Sequence, residues 1–269
     1  MSNTTPAKRR TTPRQAGLIA VALGCGLLSA ISQAAPAAQE SQGMTRTPGS
    51  APSPSETLAA RQQVIVPIAA FGAAGDIDKL NGALHQGLDA GLTVNETKEI
   101  LVQLYAYAGF PRSLNALAEL MKVVEARSQR GIQDVAGAMP SRAAPKGDAL
   151  LAAGTATQTR LSGAPVKGAL FDFAPAIDEY LKTHLFGDIF ERDNLDWQSR
   201  ELATVGMLAA LPGAEPQLQA HMRISLNVGL TVSQLRQLVQ VLADRVDAAS
   251  ASRAREALSR HLATQPGAK

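Results

Sequence analysis

The stretch GLDAGLTVNETKEI at 87–100 decides the fold, because its centre returns as GLTVSQL at 229–235, a shift of 138 residues. In each copy a glycine, Gly91 or Gly229, is placed to end one helix in a left-handed conformation, and a threonine, Thr93 or Thr231, to cap the next. Glu96 and Gln234 stand three residues beyond their threonines and complete two capping boxes. Each box satisfies two amide groups that a helix start would otherwise leave orphaned.

The same register extends outward. Leu80, Leu84 and Leu88 mark the helix before the first box, and Leu218, Met222 and Leu226 mark the one before the second. After the boxes, Ile100, Leu101, Leu104 and Ala108 keep helical spacing, as do Leu235, Leu238, Val239, Leu242 and Val246. Pro111 fits a first helical turn, and Leu114, Leu117, Met121 and Val124 continue a third helix. No stretch of useful length alternates with a period of two, so the spacing predicts an all-α protein built from two copies of one helical unit.

Before these units the chain reads as an export leader. Lys8, Arg9, Arg10 and Arg14 precede an apolar run from Ala16 to Ile31, and Ser32-Gln33-Ala34 supplies small residues for cleavage. The alternative is a retained N-terminal anchor, which the short, glycine-containing run disfavours. A twin-arginine signal and a lipoprotein box around Cys25 are further variants, both poorly matched. The expected organisation is a signal peptide at 1–34, a disordered linker at 35–55, a first repeat at 56–130, a low-complexity linker at 131–170 and a second repeat at 171–263. Periplasmic or secreted location follows from the leader.

The leader also carries the sign of the charge. The whole chain is +3 with a pI near 9.2, yet beyond the four leader cations there are 22 basic and 23 acidic residues. Nucleic acid and anionic membrane are therefore not the expected partners, and no stable membrane span remains after cleavage. Cys25 is the only cysteine and lies in the leader, so the mature chain has no thiol nucleophile, disulfide or thiolate metal ligand.

The residues at 87–100, continued by Tyr105-Ala-Tyr-Ala-Gly-Phe-Pro-Arg112, resemble the carboxymuconolactone decarboxylase family. So do Arg200-Glu-Leu-Ala203, Gln217-Leu-Gln-Ala-His221 and Asn227-Val-Gly-Leu-Thr231 in the second half. The resemblance implies a helical bundle of the alkylhydroperoxidase D type, assembled as a homo-oligomer, trimer or hexamer, with sites lined by helices. It also implies cofactor-free decarboxylation of a small carboxylated lactone or organic acid. A related branch reduces peroxides through a Cys-x-x-Cys pair with a glutamate and a histidine as proton relay. Glu201 and His221 match that relay, while Ala214 and Gln217 stand where its cysteines would be. Thiol peroxidase chemistry is thereby the least favoured reading.

His221 is the candidate acid or base, because an unperturbed imidazole titrates near neutrality, and Glu201 is its orienting carboxylate. Their plain structural alternatives are a hydrogen-bonded interface histidine and a surface partner for Arg200 or Arg223. Arg200 and Arg112 are candidates to fork onto a substrate carboxylate. Tyr105 and Tyr107 are candidates to donate to a developing enolate. Two residues apart on a helix, at most one of them faces a given pocket. His85 completes the candidate substrate-binding set with Arg200, Arg112 and Tyr105. No metal or cofactor is expected, since no metal-ligand spacing or phosphate-binding glycine loop is found. The expected function is a cofactor-independent lyase of carboxymuconolactone decarboxylase type acting on a small molecule, the alternative a non-catalytic oligomeric binding or scaffold protein.

Overall fold

The structure, a computed structural model, describes residues 56–141 and 143–264. The expected signal peptide and the linker at 35–55 lie outside the described residues. Among the described residues there is no strand, and no helix is long and apolar enough to cross a membrane.

The first half contains α1 (Ala60–Gln63), α2 (Ile65–Ala74), α3 (Ile77–Asp89), α4 (Val94–Gln103), α5 (Tyr105–Ala108) and α6 (Phe110–Gln129). The second half ends with α10 (Trp197–Ala209), α11 (Glu215–Asn227), α12 (Val232–Arg245) and α13 (Ala248–Ala263). The bounds of α11 lie 138 residues beyond those of α3, and α12 starts 138 beyond α4. Both capping boxes form: Thr93 Oγ1 accepts from the Glu96 amide at 3.2 Å, and Thr231 Oγ1 from the Gln234 amide at 3.1 Å. The reciprocal bonds, from the threonine amides to Glu96 and Gln234, are both 2.9 Å. Gly91 and Gly229 have φ of 91° and 96°, values that other residues adopt only with strain.

Two helices form the centre. In α2 every residue from Ile65 to Ala73 is buried, and in α10 every residue from Ser199 to Ala209. α2 is apolar on all sides and must be enclosed on all sides, each buried Val or Ile contributing about 1.5–3 kcal/mol, whereas α10 also buries Arg200, Glu201 and Thr204. The two helices pack on one another. A Cβ on Gly206 would stand 2.8 Å from the Val66 carbonyl oxygen, so the contact is backbone-close. Around this pair, α3 packs on α2 and α6, while α11 packs on α10 and α13. One apolar core runs through both halves.

Residues 131–170, expected as a low-complexity linker, are partly helical: α7 spans Asp148–Ser162. It is followed by α8 (Ala169–Phe173), α9 (Pro175–Tyr180) and a π-helix at Leu181–Ile189. The small residues that hid α7 in the sequence are what its packing needs. A Cβ on Gly154 would fall 1.7 Å from the Lys182 carbonyl oxygen, so only glycine lets α7 lie against the π-helix. Leu161 then closes a second cluster with Leu185, Phe186, Ile189, Phe190 and Ile224.

Candidate active site

Asp196 caps α10 by accepting from the Ser199 amide at 2.8 Å, which fixes the helix one turn before Glu201. Glu201 points into the bundle toward α11, where His221 Nδ1 lies 2.8 Å from its Oε2. The glutamate side chain is completely buried, and the imidazole is 10% exposed. A carboxylate accepts only, so Nδ1 donates and Nε2 carries the lone pair. The other carboxylate oxygen, Oε1, is buried without a hydrogen-bond partner. Leaving a buried carboxyl oxygen unpaired is unfavourable.

Tyr107, from α5 of the first half, meets this pair. Its ring stands edge-on to His221 with centroids 5.8 Å apart and planes at 78°. Burial, with the negative charge of Glu201 added, pushes the phenol pKa well above its ordinary value, so the hydroxyl keeps its proton. Tyr107 Oη lies 3.4 Å from Thr204 Oγ1, and Thr204 is bonded in turn to Gln103.

Behind them is a buried ion cluster. Arg200, wholly enclosed, donates from Nη2 to Glu99 Oε2 at 3.1 Å and to the Arg192 carbonyl at 2.8 Å, and from Nη1 to Gln103 at 3.2 Å. Arg192 grips the same Glu99 through two bonds, of 2.8 and 2.6 Å. Burial works to raise the Glu99 pKa, but the bonds and charge of Arg192 and Arg200 outweigh it and hold the carboxyl below its usual range. Arg192 is raised by its bonds to Glu99. Arg200 is lowered, because burial outweighs its share of the same carboxylate. A guanidinium stays charged through such a shift.

The sequence-expected residues separate at this point. Glu201 and His221 come together. Arg200 neighbours them in sequence, but its guanidinium is committed to Glu99 and Gln103 and has no surface to offer a substrate. Arg112 bonds the Ala73 carbonyl at the end of α2, so it finishes a helix instead of forking onto a carboxylate. Tyr105 stacks on Phe110 at 4.4 Å and lies edge-on to His184 at 5.2 Å. His85 Nδ1 sits 3.4 Å from Arg127, whose guanidinium is held by Asp134. None of these last three has a described hydrogen bond, ion pair or ring contact with Glu201 or His221. Of Tyr105 and Tyr107, the one beside His221 is Tyr107.

The residues missed by sequence reading are Glu99, Gln103, Arg192 and Thr204. Thr204 was findable, since it lies one helical turn beyond Arg200 and Glu201 on the same helix. Glu99 was not, because 101 residues separate it from Arg200.

Fold and site thus define an all-helical protein with a buried carboxylate–imidazole pair between α10 and α11. Residues 175–260 match the carboxymuconolactone decarboxylase family. Over 70 residues the chain is 31% identical to a 4-carboxymuconolactone decarboxylase of Acinetobacter baylyi, an alignment covering 26% of this chain and 52% of that protein. The chain therefore spans about half the length of the curated relative it matches. Both likenesses cover part of the chain, and the all-helical bundle is consistent with them.

Proposed function

We propose that this chain is a cofactor-independent carboxy-lyase acting on a small carboxylated lactone or organic acid. The observation that carries this reading is the 2.8 Å Glu201–His221 pair, buried between two helices, which holds Nδ1 and leaves Nε2 as the nitrogen for proton transfer. In decarboxylation the bond from the carboxylate carbon to its neighbour breaks, carbon dioxide leaves, and the electron pair stays behind as an enolate. His221 in its protonated form gives its Nε2 proton to that carbon and regains one from solvent. Glu201 holds the ring by Nδ1 so that Nε2 keeps one direction. No arginine is assigned to the substrate carboxylate, because Arg200 and Arg112 are engaged elsewhere.

The proposal extends to location and assembly. The leader at 1–34 supports a periplasmic or secreted protein. Phe110, Leu114 and Met121 on α6 are large, apolar and exposed, which supports burial of this face in a homo-oligomer.

The test is a mass-spectrometric screen of the purified protein against carboxylated lactones and keto acids, without added metal or thiol. Turnover by the wild type, with His221→Ala reducing it roughly 100- to 10,000-fold while still folded, is the expected result. Unchanged turnover in His221→Ala would refute the relay. No turnover by the wild type across the panel would favour a non-catalytic binding protein.

A further inference from the structure

The hydrogen-bond directions between Arg200 and Tyr107 follow from the chemistry of the groups. A guanidinium only donates, so Gln103 must present Oε1 to Arg200 Nη1, 3.2 Å away. That choice puts the Gln103 amide nitrogen 2.7 Å from Thr204 Oγ1 and 3.0 Å from the Arg200 carbonyl. Thr204 Oγ1 is 2.9 Å from the same carbonyl, which can only accept, so the threonine hydrogen goes there. Thr204 then accepts from Gln103 with one lone pair and has only the other to offer Tyr107. With the threonine hydrogen on its nearer acceptor, the carbonyl at 2.9 Å and not the phenol at 3.4 Å, Tyr107 is left to donate. Its 3.4 Å contact is well beyond the roughly 2.7–2.8 Å of a good hydroxyl–hydroxyl bond.

Tyr107 is thus a donor without a good acceptor, and its ring lies against the ring of His221. We propose that Tyr107 donates this hydrogen bond to the substrate oxygen on which negative charge collects, with Gln103 and Thr204 as the positioning residues that hold it in the donating state. The proposal rests on the lyase reading, and it names the part of the ligand that the site recognises: an enolate oxygen beside the carbon that His221 protonates. A raised phenol pKa supports it, since a tyrosinate could not donate. Binding would exchange the stretched Thr204 contact for a short bond to a charged acceptor, a kind of bond that strengthens as charge develops.

The probe is 4-hydroxy-2(5H)-furanone, a lactone that is an enolate at neutral pH, titrated calorimetrically into the full chain. Neutral γ-butyrolactone, followed by NMR, is the control. The wild type should bind the enolate, and Tyr107→Phe should bind it about 10- to 100-fold more weakly, the loss of one hydrogen bond to a charged group. Binding of the neutral lactone and the melting temperature should be unchanged. Equal enolate binding in Tyr107→Phe, an equal loss for both lactones, or no enolate binding by the wild type would each overturn the proposal. Turnover in the screen without enolate binding would reject the role of Tyr107 alone. Enolate binding through Tyr107 without turnover would instead reject the lyase reading and leave an enolate-binding protein.

Discussion

Moving the buried polar set by 138 residues lands on its counterpart in the other half of the molecule. Glu201 becomes Gln63, Arg200 becomes Gln62, Thr204 becomes Val66 and His221 becomes Ala83. In the other direction Glu99 becomes Gln237, Gln103 becomes Val241 and Tyr107 becomes Arg245. One region gathers five ionised or ionisable side chains around the junction of α4, α5, α10 and α11. The other holds amides and apolar groups, with Arg245 its single ionised side chain. Gln237 Oε1 accepts from the Leu58 amide at 2.6 Å, and Gln63 Nε2 donates to the Leu58 carbonyl at 2.9 Å. Val66, Val241 and Ala83 are buried in the core. The same backbone frame therefore serves recognition chemistry at one end and chain anchoring at the other. A site argument must rest on side chains, because the frame is common to both.

The sharpest way to break this contrast is to give the polar region the residue of its counterpart. Glu99→Gln leaves Arg192 and Arg200 without their carboxylate and should destabilise the fold by about 3–5 kcal/mol in denaturant titration at pH 7. The effect has a sign in pH. Because the Glu99 pKa is lowered by folding, its contribution is full above the ordinary carboxylate pKa and is lost as pH falls through the folded value. The gap between wild type and Glu99→Gln should therefore close in acid. A gap that widened there would show that Glu99 is not the charge that holds the arginines.

The counterpart should be less sensitive. Gln237→Leu orphans one buried amide, that of Leu58, and should lower stability by about 1–3 kcal/mol with no dependence on pH through the carboxylate range. The smallest effects belong to the features that the halves share. Thr93→Ala and Thr231→Ala each remove one cap and should each lower stability by about 1 kcal/mol. Clearly unequal losses would mean that the two boxes carry different loads despite their matching geometry.

What could be read from sequence followed the range of the interactions. The caps, the left-handed glycines and the leucine spacing are local, and the structure forms them where the spacing puts them. Helix α7 was hidden because Ala, Gly and Thr look like a linker until a partner is present to require small residues. The Glu201–His221 pair was legible through its resemblance and lies within a two-helix span. The fate of Arg200 was not, because its carboxylate comes from the other half of the chain. Arg112, Tyr105 and His85 carry the right chemistry on the wrong faces, and facing is set by tertiary packing that composition does not encode.

The α2–α10 contact bears on how the molecule comes into being. Its partners are about 130 residues apart, so the central pairing is among the most non-local contacts in the chain and loop closure must precede its reward. During synthesis α2 is complete on the order of 10 s before α10 has been made. For that interval the side of α2 that α10 covers stays open, although α3, α4 and α6 are already there for its other sides. The first half thus emerges with its core open along one helix, and the core is closed only once α10 has been made.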